Sequence, residues 1–351
     1  MTIMLKWTES PTDNHRTSQN IITASFHFAK LAGQSLLASP TALAEFQQTT
    51  GLADFYWEVS YYQEPNTESP LAQVLAEVDG FVIFLHGWCG SHLIWEDLPI
   101  RLIEQYPRLV CLNLDISGFA QALYLDTSNK TEYARIDNMM ASIEYWLGAI
   151  GLWPSTYRQQ KPFYLFVGHS MGGGMLFYKN QPNWQNEIYG CYLMSPSMYY
   201  HDLKRSLFYR LVATAILIPY TGLIKILSSH GVVWVAMNEA SQLVKREHTQ
   251  NFKNSSLRTL KNTLDGIGKS PPPPRTDWSQ FKVVLGNRDV LVSPKHMLNF
   301  VEQLGFKPDQ IRVTMGDHYF FSYDETSPIT HKHNRQTVLT DLITFCRQLQ
   351  K

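Results

Sequence analysis

The chain has 351 residues, 44% of them hydrophobic and 17% charged, with 30 basic residues against 30 acidic ones. That length is enough for one large α/β domain with an insert or for two ordinary domains, and the composition excludes a disordered or fibrous chain. The charge balance, with no long basic run, gives no reason to expect nucleic acid as a partner.

The four cysteines (Cys89, Cys111, Cys191 and Cys346) are scattered. They form no CxxC pair and no metal-ligand spacing, so neither a metal site nor a disulfide framework is expected. The first twenty residues lack the apolar core of a secretory leader. The longest apolar stretch, Leu211 to Ile224, is broken by Pro219, and a bilayer-spanning helix needs ~20 apolar residues. The expectation is a cytoplasmic protein with a buried helix pair here. Peripheral contact of this block with membrane or lipid is the sharper alternative.

In chain order, Ile21 to Gln48 has apolar residues at helical spacing and is read as a helical extension. Tyr56 to Tyr62 alternates and is aromatic, as a strand does. Phe81 to Leu85 (FVIFL), Leu109 to Leu114 (LVCLNL), Phe163 to Val167 (FYLFV) and Ile188 to Met194 (IYGCYLM) are apolar runs of strand length. Runs of this kind suit a parallel sheet buried on both faces. Helical patterns at Arg135 to Ile150 and from Met171 onward separate them. From Ser195 to about Asp277 only helical segments are evident, ending in the proline spacer Ser270 to Pro274. Strand and helix then alternate again: Phe281 to Leu285, a helix near Pro294, Ile311 to Thr314, and a helix near Gln336 to Leu349. The parse is an N-terminal extension (1–50), an α/β core (51–195), a helical cap (196–278) and the rest of the core (279–351). The fold class is α/β, a mostly parallel sheet flanked by helices.

The segment Gly168-His169-Ser170-Met171-Gly172 carries the chemistry. A serine at the end of a buried strand reaches solvent only on a tight strand-to-helix turn, which needs small neighbours. Gly168 and Gly172 supply them. The five-residue pattern alone arises by chance in roughly one such chain in ten, so the strand before it and the helix after it carry the assignment of Ser170 as nucleophile.

An oxyanion needs two backbone donors. Met171, at the start of the helix, offers one N–H. The loop His86-Gly87-Trp88-Cys89-Gly90 after FVIFL offers the other at Trp88. Gly87 gives this loop its freedom, and His86 is read as holding it in place. The general base is His318, after the last strand and last in the order serine, acid, histidine. His331 and His333 are read as surface residues, and His169 as pointing away along the turn. The acid is Asp289, after the strand Phe281 to Leu285. Asp317 is the rival, but it abuts His318 and would struggle to reach the ring.

These residues resemble the α/β-hydrolase superfamily with a cap domain. The carrying motifs are FVIFLHGWCGSHLIW (81–95), LNLDISGFA (112–120), GHSMGG (168–173), LGNRD (285–289) and GDH (316–318). The family loop D-x-x-G-x-G-x-S departs here, with Ala120 in place of the second glycine and the serine missing as well. The resemblance implies a two-step acyl transfer with no metal and no organic cofactor. The apolar block Phe208 to Met237 suggests a small-molecule ester with a hydrophobic acyl or alcohol part. Thioesterase, carbon–carbon bond hydrolase and acyltransferase chemistry stay open on the same triad, as does a non-catalytic binding protein. Oligomeric state is left open.

Overall fold

The apolar runs become strands of a nine-stranded sheet in the computed structural model, whose first strand is the polar segment DNHR. Its described residues are 13–16, 20–33, 42–64, 71–116, 118–153, 161–179, 184–198, 203–215, 237–274 and 277–351. The strands are β1 (Asp13–Arg16), β2 (Ile21–His27), β3 (Tyr56–Tyr62), β4 (Gly80–Leu85), β5 (Leu109–Leu114), β6 (Phe163–His169), β7 (Ile188–Met194), β8 (Phe281–Gly286) and β9 (Ile311–Thr314). Their spatial order is β1-β2-β3-β5-β4-β6-β7-β8-β9. The first three strands are antiparallel, and β3 also runs antiparallel to β5. From β5 to β9 every pairing is parallel. Residues of β4, β5 and β6 are buried throughout, which is why their sequences are continuously apolar rather than alternating.

Two apolar layers sandwich the sheet. On one face the helix Ile136–Ala149 packs Met139, Met140, Ile143 and Trp146 among Trp57, Phe81 and Phe166. On the other, the helices Leu98–Gln105 and Ile329–Leu349 place Leu102, Ile103, Leu342 and Ile343 against Val82, Phe84 and Leu165.

The N-terminal expectation is corrected. Ile21 to His27 is a strand, and helix begins only at Phe28–Gly33 and Ala42–Thr50. The β-branched run Ile21-Ile22-Thr23 loses side-chain freedom in a helix and packs well on a pleated surface. Pairing decides the matter: Ala24 faces Val59, and Phe26 faces Trp57 with rings 5.5 Å apart.

Between β7 and β8 the described residues form the helices Leu203–Ala215, Gln242–Asn254 and Leu257–Gly268, with no strand. Residues 216–236 lie outside the described residues, and with them most of the apolar block expected to touch lipid. Among the described residues no helix is long and apolar enough to cross a membrane.

Candidate active site

Parallel pairing brings the candidate residues to the carboxyl ends of the strands. Leu85 of β4 pairs with Gly168 of β6, so the loop from His86 lies beside His169 and Ser170. Gly286 of β8 pairs with Thr314 of β9, so the loops carrying Asp289 and His318 are also neighbours. Strand order reverses at β4, which lies between β5 and β6. Open α/β sheets form their ligand crevice beyond the strand ends at such a point.

Ser170 occupies a strained turn, with φ 52° and ψ −115°. A non-glycine residue holds that conformation only when its surroundings enforce it. Here Ser170 N–H donates to Met194 O at 2.9 Å, while Ser170 O accepts from the amides of Gly174 and Ser197. The flanking glycines are steric requirements. A Cβ on Gly172 would lie 2.2 Å from Leu85 O, and one on Gly168 would lie 2.5 Å from Gly172 O.

The loop 86–90, expected to offer an oxyanion donor, is a turn closed by Gly90 N–H to Gly87 O at 2.9 Å, with Cys89 at φ 57°. His86 staples it. Its Nε2 accepts from the Ile116 amide at 2.9 Å, which leaves Nδ1–H to donate to Gly87 O at 2.7 Å. Burial pushes the His86 imidazole down to about 4, so it is neutral in this role. Neither the Trp88 nor the Met171 amide has an acceptor among the described residues. Free N–H groups at a helix start and in a loop turn are what an oxyanion site requires.

Asp289 and His318 come together. His318 Nδ1 and Asp289 Oδ2 are 2.7 Å apart, and both side chains are buried. Asp289 Oδ1 accepts from the Leu291 and Val292 amides at 2.9 and 2.8 Å. Asp317 serves elsewhere: it accepts from the Glu239 and Tyr319 amides. Burial raises its carboxyl above the usual range.

Two histidines differ from expectation. His169 does not turn away from the site. It is fully buried, its Nε2–H donates to His318 O at 2.9 Å, and the two rings lie 4.6 Å apart. The residue before Ser170 thus secures the backbone of His318, and burial drives its own imidazole far below the ordinary value. His331 is buried rather than superficial, between Ser322 O at 3.0 Å and Glu239 Oε2 at 3.2 Å. Its position on the inner face of the last helix, which begins earlier than the sequence pattern suggested, accounts for this. His333 is exposed.

Glu239, Asp317 and His331 hold potential ligand atoms within 4.8 Å of one another, the one such group among the described residues. Arg288 already sits 2.7 Å from Glu239 Oε2 and supplies positive charge there.

The departure in the LNLDISGFA loop is absorbed by backbone strain. Ala120 adopts φ 49°, the left-handed conformation that glycine favours. Asp115 is buried and accepts from the His92 amide, His92 Nδ1 and the Gln121 amide. Ser117 lies outside the described residues.

Sequence reasoning missed the residues that the insert sends to this region. His248 hydrogen-bonds the Tyr319 hydroxyl, Asn251 Nδ2 donates to Gly90 O, and Trp88 Nε1–H donates to Thr263 Oγ1. Separations of 71 to 175 residues leave no local signal to find them by.

No protein-family model matches the chain, and no curated protein matches its sequence. Solved structures do resemble it in fold. An esterase from Thermogutta terrifontis superposes with TM-score 0.55 at 14% identity, covering 85% of this chain and 96% of its own. MenH from S. aureus gives 0.55 at 14%, covering 84% and 99%. A laboratory-evolved variant of a potato epoxide hydrolase gives 0.56 at 12%, covering 84% and 97%. These are α/β-hydrolase-fold enzymes, and this chain has that fold.

Proposed function

We propose that the chain is a serine hydrolase that cleaves a carboxylic ester with a hydrophobic acyl or alcohol part. The observation that carries this reading is the buried His318–Asp289 pair at 2.7 Å, set at the carboxyl ends of the strands, where Ser170 occupies its strained turn. Asp289 keeps the proton of His318 on Nδ1, leaving Nε2 to take the Ser170 proton as the hydroxyl attacks the ester carbonyl. The Trp88 and Met171 amides stabilise the oxyanion. His318 then protonates the departing alcohol and activates the water that releases the acid.

A serine at position 170 favours acyl transfer over epoxide opening, which uses a carboxylate nucleophile in this fold. The rings of Phe119 and Phe252 stand 6.0 and 5.8 Å from Trp88. Apolar walls beside the oxyanion loop support a hydrophobic substrate portion.

A fluorophosphonate probe tests the reading. Wild-type protein is expected to label and Ser170→Ala is not. Failure of wild type to label, or equal labelling of the variant, would overturn it.

A further inference from the structure

The insert between β7 and β8 touches both loops on which the proposed chemistry depends. On the helix Gln242–Asn254, His248, Asn251 and Phe252 fall at i, i+3 and i+4, and so share one face. Asn251 Nδ2 donates to Gly90 O at 3.1 Å, on the residue that closes the Gly87–Gly90 turn. Phe252 meets the Trp88 ring edge-on at 5.8 Å. On the following helix, the buried Thr263 accepts from Trp88 Nε1–H at 2.8 Å while donating its own hydroxyl hydrogen to Thr259 O. The oxyanion loop is thus held by two insert helices, one through its backbone and one through its side chain.

The same face holds the base loop. His248 is buried and hydrogen-bonds the hydroxyl of Tyr319, the residue after the proposed base. The Tyr319 ring in turn packs 4.4 Å from His169, which carries the His318 carbonyl. Just before the helix, the Ser241 amide donates to Ser322 Oγ and the Glu239 amide to Asp317 Oδ2.

We propose that these two helices form a brace that sets the oxyanion loop against the base loop, with His248, Asn251 and Thr263 as positioning residues. The inference rests on the serine-hydrolase reading. Its physical content is preorganisation: backbone donors stabilise an oxyanion only if they are in place before charge develops, and displacement by about 1 Å costs on the order of 100-fold in rate. None of the three residues is required to touch the ester.

The test uses the full chain and p-nitrophenyl butyrate. Thr263→Val and Tyr319→Phe each delete a hydrogen-bonding group with little change of shape, and Asn251→Leu and His248→Leu complete the set. The expected result is a fall in kcat of about 10- to 100-fold for Thr263→Val and Asn251→Leu, with KM within about twofold. Affinity for a trifluoromethyl ketone transition-state mimic should fall by the same factor. His248→Leu and Tyr319→Phe should be non-additive in the double variant. The brace is overturned if wild type turns over ester and labels at Ser170 while Thr263→Val and Tyr319→Phe retain kcat. It is equally overturned if losses only track the unfolded fraction seen by circular dichroism. Wild type that neither labels nor turns over removes the hydrolase reading and the brace with it.

Discussion

Both oxygens of Asp289 are occupied, and they do different things. Oδ1 is fixed by two backbone amides, while Oδ2 faces His318. Asp289→Asn therefore keeps the loop, since its Oδ1 still accepts, but places an NH₂ group opposite Nδ1. His318 must then carry its proton on Nε2, where it cannot accept one from serine. The expected loss in kcat is on the order of 10⁴-fold, with little change in Tm; ester turnover at the wild-type rate would remove Asp289 from the mechanism. Ala120 poses the opposite case, a residue whose side chain is a burden. At φ 49° its Cβ costs ~1–2 kcal/mol, part of which Ala120→Gly recovers against the added freedom of the unfolded chain. A gain of about 1 kcal/mol, or roughly 2 °C for a chain of this size, should appear in a thermal melt, and a lower Tm would refute the strain.

At the scale of elements, the strand–turn–helix from β6 into Met171–Leu176 leans on the backbone of β4. Gly172 N–H reaches His86 O at 3.2 Å, and the Gly172 Cα faces Leu85 O. Gly172→Ala inserts a methyl 2.2 Å from that carbonyl, where no flexible side chain can yield. The elbow must shift away from the oxyanion loop. Ester turnover should fall at least about 100-fold, with Tm reduced as well; a variant with wild-type kcat would show that the close approach is dispensable. The elements that sequence identified well are those whose residues carry their own signal. Tyr56–Tyr62, Leu109–Leu114, Ile188–Met194 and Ile311–Thr314 match their expected bounds. Ile21–His27 is a strand although its apolar spacing fits either period, because only its partner strand distinguishes the two.

Across the whole molecule, buried histidines shape the pH dependence of stability. Burial opposes charge on His92, but Asp115 and Glu58 outweigh it and lift the imidazole from 6.5 to about 8. A raised value means the folded state holds the proton more tightly, so this contribution is complete below pH ~6.5 and lost as pH rises through 8. His86 and His248 go the other way, pushed down to about 4 and about 3 chiefly by burial. The unfolded chain takes up their protons first. Their contribution is complete above pH ~6.5 and lost as pH falls toward those values. Thermal stability should peak near pH 6.5, and His92→Gln should flatten the alkaline limb. Melting curves from pH 4 to 9 that rise steadily with pH would contradict this balance.

Local sequence determined the turn at Ser170, because a buried strand, two glycines and a helix start must occur consecutively to make it. It also placed Asp289 and His318 on the loops that follow Phe281–Gly286 and Ile311–Thr314, since each lies a few residues beyond a segment of strand length. It could not determine what lies across the strand ends. That His169 turns under His318, that His331 is buried, and that insert helices reach Gly90 and Tyr319 all follow from contacts between segments distant in the chain. A residue's period reveals which face of its own element it occupies, but only the packed fold decides what meets that face.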